Sequence, residues 1–212
     1  MIMPIVLATT LGLHPVACPA LTPPGLPGAS DSTWQTVYAR GVSFVDFLAA
    51  ADARHDQWRA NYEAATVPAD LLARARTVPG HWRLLVVAED WCSDSVNTIP
   101  WLARLVERVN GLEMRVVTSE PGEAIMDAHR TPDGRQATPT VVLLDAHYRE
   151  VGCFIERPEM LQDWFLANRD RLPREQLLRD KQAWYDEDLG RSTLTAFTDL
   201  LEAAGQGHTG CD

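Results

Sequence analysis

The chain has 212 residues, with 19 basic and 29 acidic side chains and a formal net charge of −10. Hydrophobic residues make up 46% and charged residues 23% of it, enough to bury a core without help from disulfides or metal. The acidic balance excludes a general nucleic-acid binder, which would present a basic face to phosphates. No stretch reaches the ~18 to 20 apolar residues that a membrane span needs, so a soluble protein is expected.

Residues 1–30 contain no Asp, Glu, Lys or Arg and hold six of the 14 prolines. Met1 to Leu13 is apolar like a signal segment, and Val16-Ala17-Cys18 is similar to a lipoprotein acylation site. The basic n-region is missing, however, Pro4 interrupts the apolar run, and Pro15 stands where a leucine is usual. Residues 1–33 are therefore read as a disordered leader and linker or a mis-assigned start, with a signal segment as the alternative. The matching compartment is the cytoplasm, with export as its alternative.

Order is expected from near Trp34, in a helical extension over 34–80. Ser43 followed by Asp46 resembles a capping box and predicts one helix through about Ala64. Phe44, Phe47, Leu48, Ala51, His55, Trp58 and Tyr62 would form its packed stripe. Pro68 suits the first turn of a helix over 69–77. Leu84 to Ala88 is a continuous apolar run, as in a central strand covered on both faces. A helix over 96–109, a strand over 112–118 and a helix over 122–129 follow, then a turn at Thr131-Pro132-Asp133-Gly134. Residues 140–144 and 149–155 read as antiparallel neighbours. Pro158 opens another helix, and helices continue to about 204. This order predicts an α/β fold with a mixed sheet in a core over 81–170, C-terminal helices over 171–204 and a flexible tail over 205–212.

The four cysteines, Cys18, Cys92, Cys153 and Cys211, match neither a zinc pattern nor a dense disulfide framework. The six histidines are dispersed, so no metal or cofactor is expected. Cys18 and Cys211 are read as mobile, which leaves Cys92 and Cys153 in the folded part. No Ser-His-Asp order, phosphate loop or nucleotide fingerprint is present.

The chemistry concentrates in Trp91-Cys92-Ser93-Asp94-Ser95, where a buried strand runs into a helix. Unpaired backbone N–H groups and the positive dipole end favour an anion there, and the thiolate is the nucleophile of disulfide exchange. Pro100 lies eight residues on, and Thr138-Pro139-Thr140 precedes a strand, where Pro139 is a candidate cis residue facing the thiol.

In these residues and their order the sequence resembles the thioredoxin superfamily, over about 83–168. Ala88-Glu89-Asp90-Trp91-Cys92, Asp127-Ala128-His129 and Glu156-Arg157-Pro158 are similar to a little-studied group of bacterial thioredoxin-like proteins. That likeness extends to the N-terminal helices and to Trp184-Tyr185 through Gly190-Arg191, most of 34–204. It implies a thioredoxin-like fold and redox partners among protein or low-molecular-weight disulfides and thiols. It also implies that Trp91 packs beside the thiol, and that Thr138 and Pro139 present backbone to an extended substrate.

Two departures matter. Thioredoxins carry a resolving cysteine where this chain has Ser95, and a buried strand acid where it has Val86. The first half of an exchange survives this loss; intramolecular release does not. The expectation is a monothiol oxidoreductase released by an external thiol, with a non-catalytic binding or adaptor module as the alternative. Ser95 either donates a hydrogen bond to the thiolate or caps the helix and fills space. Asp94 either favours the protonated thiol or merely compensates the helix dipole. Glu89 and Asp90 either tune the thiol or face water. Cys153 is either a resolving thiol or a small hydrophobe packed in the sheet. Arg130 and Arg135 either bring positive charge near Cys92 or are solvated.

Overall fold

The computed structural model describes residues 31–211, so the readings made for residues 1–30 lie outside the described residues. Four helices come first: α1 (Asp31–Arg40), α2 (Phe44–Ala50), α3 (His55–Ala64) and α4 (Ala69–Thr77). The sheet elements and their crossings follow as β1 (Trp82–Val87), α5 (Ser93–Val106), β2 (Leu112–Val117), α6 (Ser119–Ala128), β3 (Thr140–Leu144) and β4 (Glu150–Ile155). Helices α7 (Glu159–Asn168), α8 (Arg174–Asp188) and α9 (Arg191–Gly205) complete the chain. The strand order is β2-β1-β3-β4. β1 and β2 are parallel, while β1–β3 and β3–β4 are antiparallel. This is the expected α/β architecture with a mixed sheet. No helix among the described residues is long and apolar enough to cross a membrane.

Strand alternation sorts the core into two layers. Leu84, Val86, Val141, Leu143 and Phe154 point to one face, where they meet Trp58, Val96, Ile99, Leu102 and Phe197. Leu85, Val87, Val142 and Leu144 point to the other, against Trp34, Tyr38, Ile125 and Met126. Both faces of β1 are covered, which is why its sequence is apolar without alternation.

The single helix expected through Ala64 is two helices. Ser43 does cap α2, its Oγ accepting from Asp46 N at 3.1 Å. The helix then ends at Ala50, and Arg54 takes a left-handed conformation before α3 begins. The cause is tertiary: Asp90 Oδ2 accepts from Asp52 N at 2.9 Å and Ala53 N at 2.8 Å, drawing those amides out of the helical ladder. Helix α6 likewise starts earlier than its pattern suggests, because Glu89 Oε1 accepts from Ser119 N at 2.7 Å. Neither Glu89 nor Asp90 is a group that simply faces water.

The tail departs from expectation too. Beyond α9 the chain runs along the edge strand, with Gly210 bridging Gly152 in parallel and Gly210 N donating to Val151 O at 3.3 Å. Cys211 thereby reaches Cys153 and forms a disulfide with it. Cys211 is therefore anchored rather than mobile, and Cys153 is not a free thiol available to resolve Cys92.

Gly190 precedes α9 with φ +71, and a β-carbon there would stand 2.2 Å from Trp101 Cδ2. Trp101 is buried in the core on α5, so its ring has little room to yield. Gly190→Ala is expected to destabilise the fold by at least about 1–3 kcal/mol, the usual cost of overpacking. The urea unfolding midpoint checks this.

Candidate functional site

Cys92 is the N-cap of α5, with φ −76 and ψ 121, and is the one free cysteine among the described residues. Its backbone N–H donates to Glu89 O at 3.1 Å, and its carbonyl accepts from Val96 N at 3.1 Å to open the helix. The sulfur lies close to the orphan amides of the first turn, with Ser95 N directed at Sγ from 3.5 Å. On the other side the Cys92 thiol donates to Thr138 O at 3.0 Å. The Thr138–Pro139 peptide is cis. Its loop is held on both sides: Thr140 Oγ1 donates to Ala137 O at 2.8 Å, and Glu156 N donates to Pro139 O at 2.7 Å. The strand-to-helix turn and the loop entering β3 thus bring Cys92, Thr138 and Pro139 together. Pro100 lies within α5 itself.

Ser95 is fully buried, and its hydroxyl has no hydrogen-bond partner among the described residues. It is the Ser95 amide, not its hydroxyl, that reaches the sulfur. Trp91 is 62% exposed while the neighbouring Cys92 is 8% exposed. The N-terminal extension holds the same loop. Trp58 is buried behind the loop and donates from Nε1 to Asp90 O at 2.8 Å, and Arg54 Nε donates to Trp91 O at 2.8 Å. Those bonds hold the loop backbone, Trp58 from the interior and Arg54 from the exposed side. Arg130 and Arg135 are engaged elsewhere, by Asp127 and Gly134 O and by Asp133 and Glu156.

Asp94 occupies the centre of a buried ionic cluster. Lys181 Nζ lies 2.9 and 2.8 Å from its two oxygens, Arg157 Nε and an Nη lie at 3.1 and 3.3 Å, and Tyr185 donates to it at 2.9 Å. Arg157 also pairs with Glu156 at 2.7 Å, and Lys181 donates to Ser93 Oγ at 2.8 Å. Asp94, Glu156, Arg157 and Lys181 are all buried, and Arg135, whose side chain is 44% exposed, joins them through Glu156 at 3.1 Å. Burial works to raise the Asp94 carboxyl, but Lys181 and Arg157 outweigh it and hold the group below the usual carboxylate range. Burial first, then the Asp94 charge, pushes the Tyr185 phenol well above its ordinary value. The cluster ties the first turn of α5 to the end of β4 and to α8. Asp94 is spoken for as an anchor of the thiol-bearing helix.

Sequence reasoning did not assign roles to Arg157, Lys181 and Tyr185. Arg157 and Tyr185 lie in segments that carried the family resemblance, but nothing in spacing pairs them with Asp94. Lys181 reads as a surface residue of a polar helix, and only its 3% exposure reveals otherwise.

Two solved structures share the fold. One is a protein of unknown function from Pseudomonas aeruginosa, at TM-score 0.62 and 20% identity over 79% of this chain and 96% of that one. The other is an HIV epitope-scaffold, at TM-score 0.64 and 20% identity over 80% of this chain and 97% of that one. At such identity the likeness is one of fold. Among curated proteins, none matches the chain. The thioredoxin family model matches residues 41–176, from before α2 into α8 and across the whole sheet with Cys92 and Pro139. That match covers more than half of the chain, and the chain belongs to the thioredoxin family.

Proposed function

We propose that the protein carries out monothiol thiol–disulfide exchange through Cys92. The observation that carries this reading is the cysteine at the start of α5, facing the Thr138 carbonyl beside cis-Pro139, with Ser95 in place of a second thiol. The Cys92 thiolate attacks one sulfur of a disulfide R–S–S–R′, joining R–S to Cys92 while R′–S⁻ leaves and takes up a proton. A second thiol, R″–SH, loses its proton and attacks the R sulfur, so that R–S–S–R″ departs and the Cys92 thiolate returns. The substrates are protein or low-molecular-weight disulfides, and the releasing agent is a small thiol of a reducing cytoplasm. Thr138 and Pro139 would receive the substrate backbone, while the Asp94 cluster holds the helix that presents the sulfur.

The test is intact-protein mass after exposure to glutathione disulfide, beside a Cys92→Ser control. Addition of one glutathione that the control lacks is the expected result, and absence of any Cys92-dependent addition overturns the reading. A second reading, a binding module without turnover, is favoured by the exposed Trp91 ring next to a largely covered thiol. It predicts that Cys92→Ala keeps full partner binding while Trp91→Ala loses it.

A further inference from the structure

Away from Cys92, four side chains from three segments converge beside the edge strand: His129 at the end of α6, Glu150 and Cys153 on β4, and Cys211 in the tail. One ligating atom each from His129, Cys153 and Cys211 lies within 4.8 Å of the other two. Glu150 Oε1 sits 2.7 Å from His129 Nε2 and 3.1 Å from Cys211 Sγ. His129 is buried, packed against the Trp34 ring, and its Nδ1 lies 2.8 Å from Ile125 O. A carbonyl only accepts, so Nδ1 carries a hydrogen, and Nε2 at 2.7 Å from a carboxylate donates as well, which makes the ring an imidazolium paired with Glu150. A disulfide sulfur has no hydrogen. Once the Nε2 proton is given up, an imidazole nitrogen, two sulfurs and a carboxylate oxygen are left as electron-pair donors in one place. Such a gathering suits a cation.

The donor set indicates which cation. Two thiolates, an imidazole and a carboxylate make a four-ligand N/S/O site of the kind zinc occupies, whereas calcium and magnesium take oxygen shells. The bond from His129 Nδ1 to a backbone carbonyl is the outer-shell contact that metal-ligating histidines commonly have. We propose that His129 Nε2, Glu150 and the reduced Cys153–Cys211 pair form a structural Zn²⁺ site, which the disulfide closes. Two electrons from a dithiol or a phosphine, with two protons from the dithiol or from water, convert the disulfide to two thiols, and the reductant becomes a disulfide or a phosphine oxide whose oxygen comes from that water. Zinc then displaces the two thiol protons and the Nε2 proton of His129. The sulfurs have to part to accept zinc at about 2.3 Å each. Cys211 can do so because it lies in the exposed tail, beyond α9, while Cys153 stays on its strand. In a reducing compartment, where structural disulfides are scarce, zinc would keep the tail seated on β4.

The experiment uses the full chain carrying Cys18→Ser and Cys92→Ser, so that the only thiols are those of the site. After reduction with a phosphine and its removal, the chain is titrated with Zn²⁺ and, separately, with Co²⁺. Expected are one tightly held zinc per chain and a cobalt adduct with thiolate charge-transfer absorption and strong tetrahedral d–d bands. Cys211→Ser lies in the tail, leaves the core untouched, and should weaken zinc binding at least about 100-fold, as first-shell loss exceeds outer-shell effects of 10–100-fold. Glu150→Gln should weaken binding and shift the cobalt spectrum, and the same chain with its disulfide intact should bind no zinc. Failure of the reduced chain to hold stoichiometric zinc overturns the proposal, as does binding that Cys211→Ser and Cys153→Ser leave undiminished. The Cys92 reading is unaffected either way, since Cys92 is absent from the protein tested.

Discussion

Ser95→Cys should turn a persistent mixed disulfide into a transient one. Treated with glutathione disulfide, the native chain is expected to hold one glutathione on Cys92 until an external thiol removes it. In the variant a second sulfur stands one helical turn on, at a residue whose amide already lies 3.5 Å from Cys92 Sγ. The Ser95 side chain is fully buried with an unpartnered hydroxyl, so a thiol of nearly the same shape replaces it without losing a hydrogen bond. Attack from that position is intramolecular, and glutathione should leave at least about 100-fold faster, since oriented neighbours reach very high effective molarities. The product is an internal disulfide two hydrogens lighter than the reduced variant. Val86, fully buried on β1, provides no carboxylate to take the incoming thiol's proton, so release should quicken with rising pH. Time-resolved intact-mass spectrometry reads both species. A glutathione that persists equally in both proteins would show that the helix turn does not bring the two sulfurs together.

The largest loss of stability is expected from Asp94→Ala. Removing this carboxylate takes from buried Lys181 its one ion-pair partner among the described residues and leaves buried Arg157 with Glu156, which Arg135 shares, and breaking a buried ionic group from one side costs about 3–5 kcal/mol. The double variant Asp94→Leu with Lys181→Met removes one charge of each sign and should recover most of that loss, because a well-packed apolar pair avoids the desolvation cost. The pH dependence carries a definite sign. The folded Asp94 carboxyl is held below its unfolded value of about 3.9, so its contribution is full above that pH and is lost as pH falls towards the folded value. Urea unfolding across an acid series should show native stability falling below about pH 4, with a smaller fall in Asp94→Asn. Equal slopes in the two proteins would mean that other carboxylates dominate acid unfolding.

Much of the fold was legible because its signals are local. The apolar run at Leu84 to Ala88, the antiparallel strands around Thr140 and Cys153, and the prolines at 68 and 158 each constrain the backbone within a few residues. Cys92 at a helix start and Pro139 at a strand entrance were readable for the same reason, and the cis peptide lies where that pattern put it. What escaped depends on partners far away in sequence. The break between α2 and α3 is made by Asp90, about 37 residues beyond the amides it holds. Trp91 is exposed and Trp58 is buried, and no hydrophobicity pattern encodes which of the two tryptophans takes the interior.

By itself, then, the sequence determined the α/β layering, the position of the thiol on its helix and the absence of a second thiol at Ser95. Periodicity, proline geometry and residue identity act over one or two turns, and such information survives in a linear string. Only the tertiary structure decided that Asp94 anchors α5 through Lys181 and Arg157, and that Cys211 meets Cys153 beside His129 and Glu150. These groups come from separate segments, and burial makes their mutual charge and hydrogen bonding matter. Their roles follow from which chains fold over one another, a property of the packed molecule and of no single stretch of it.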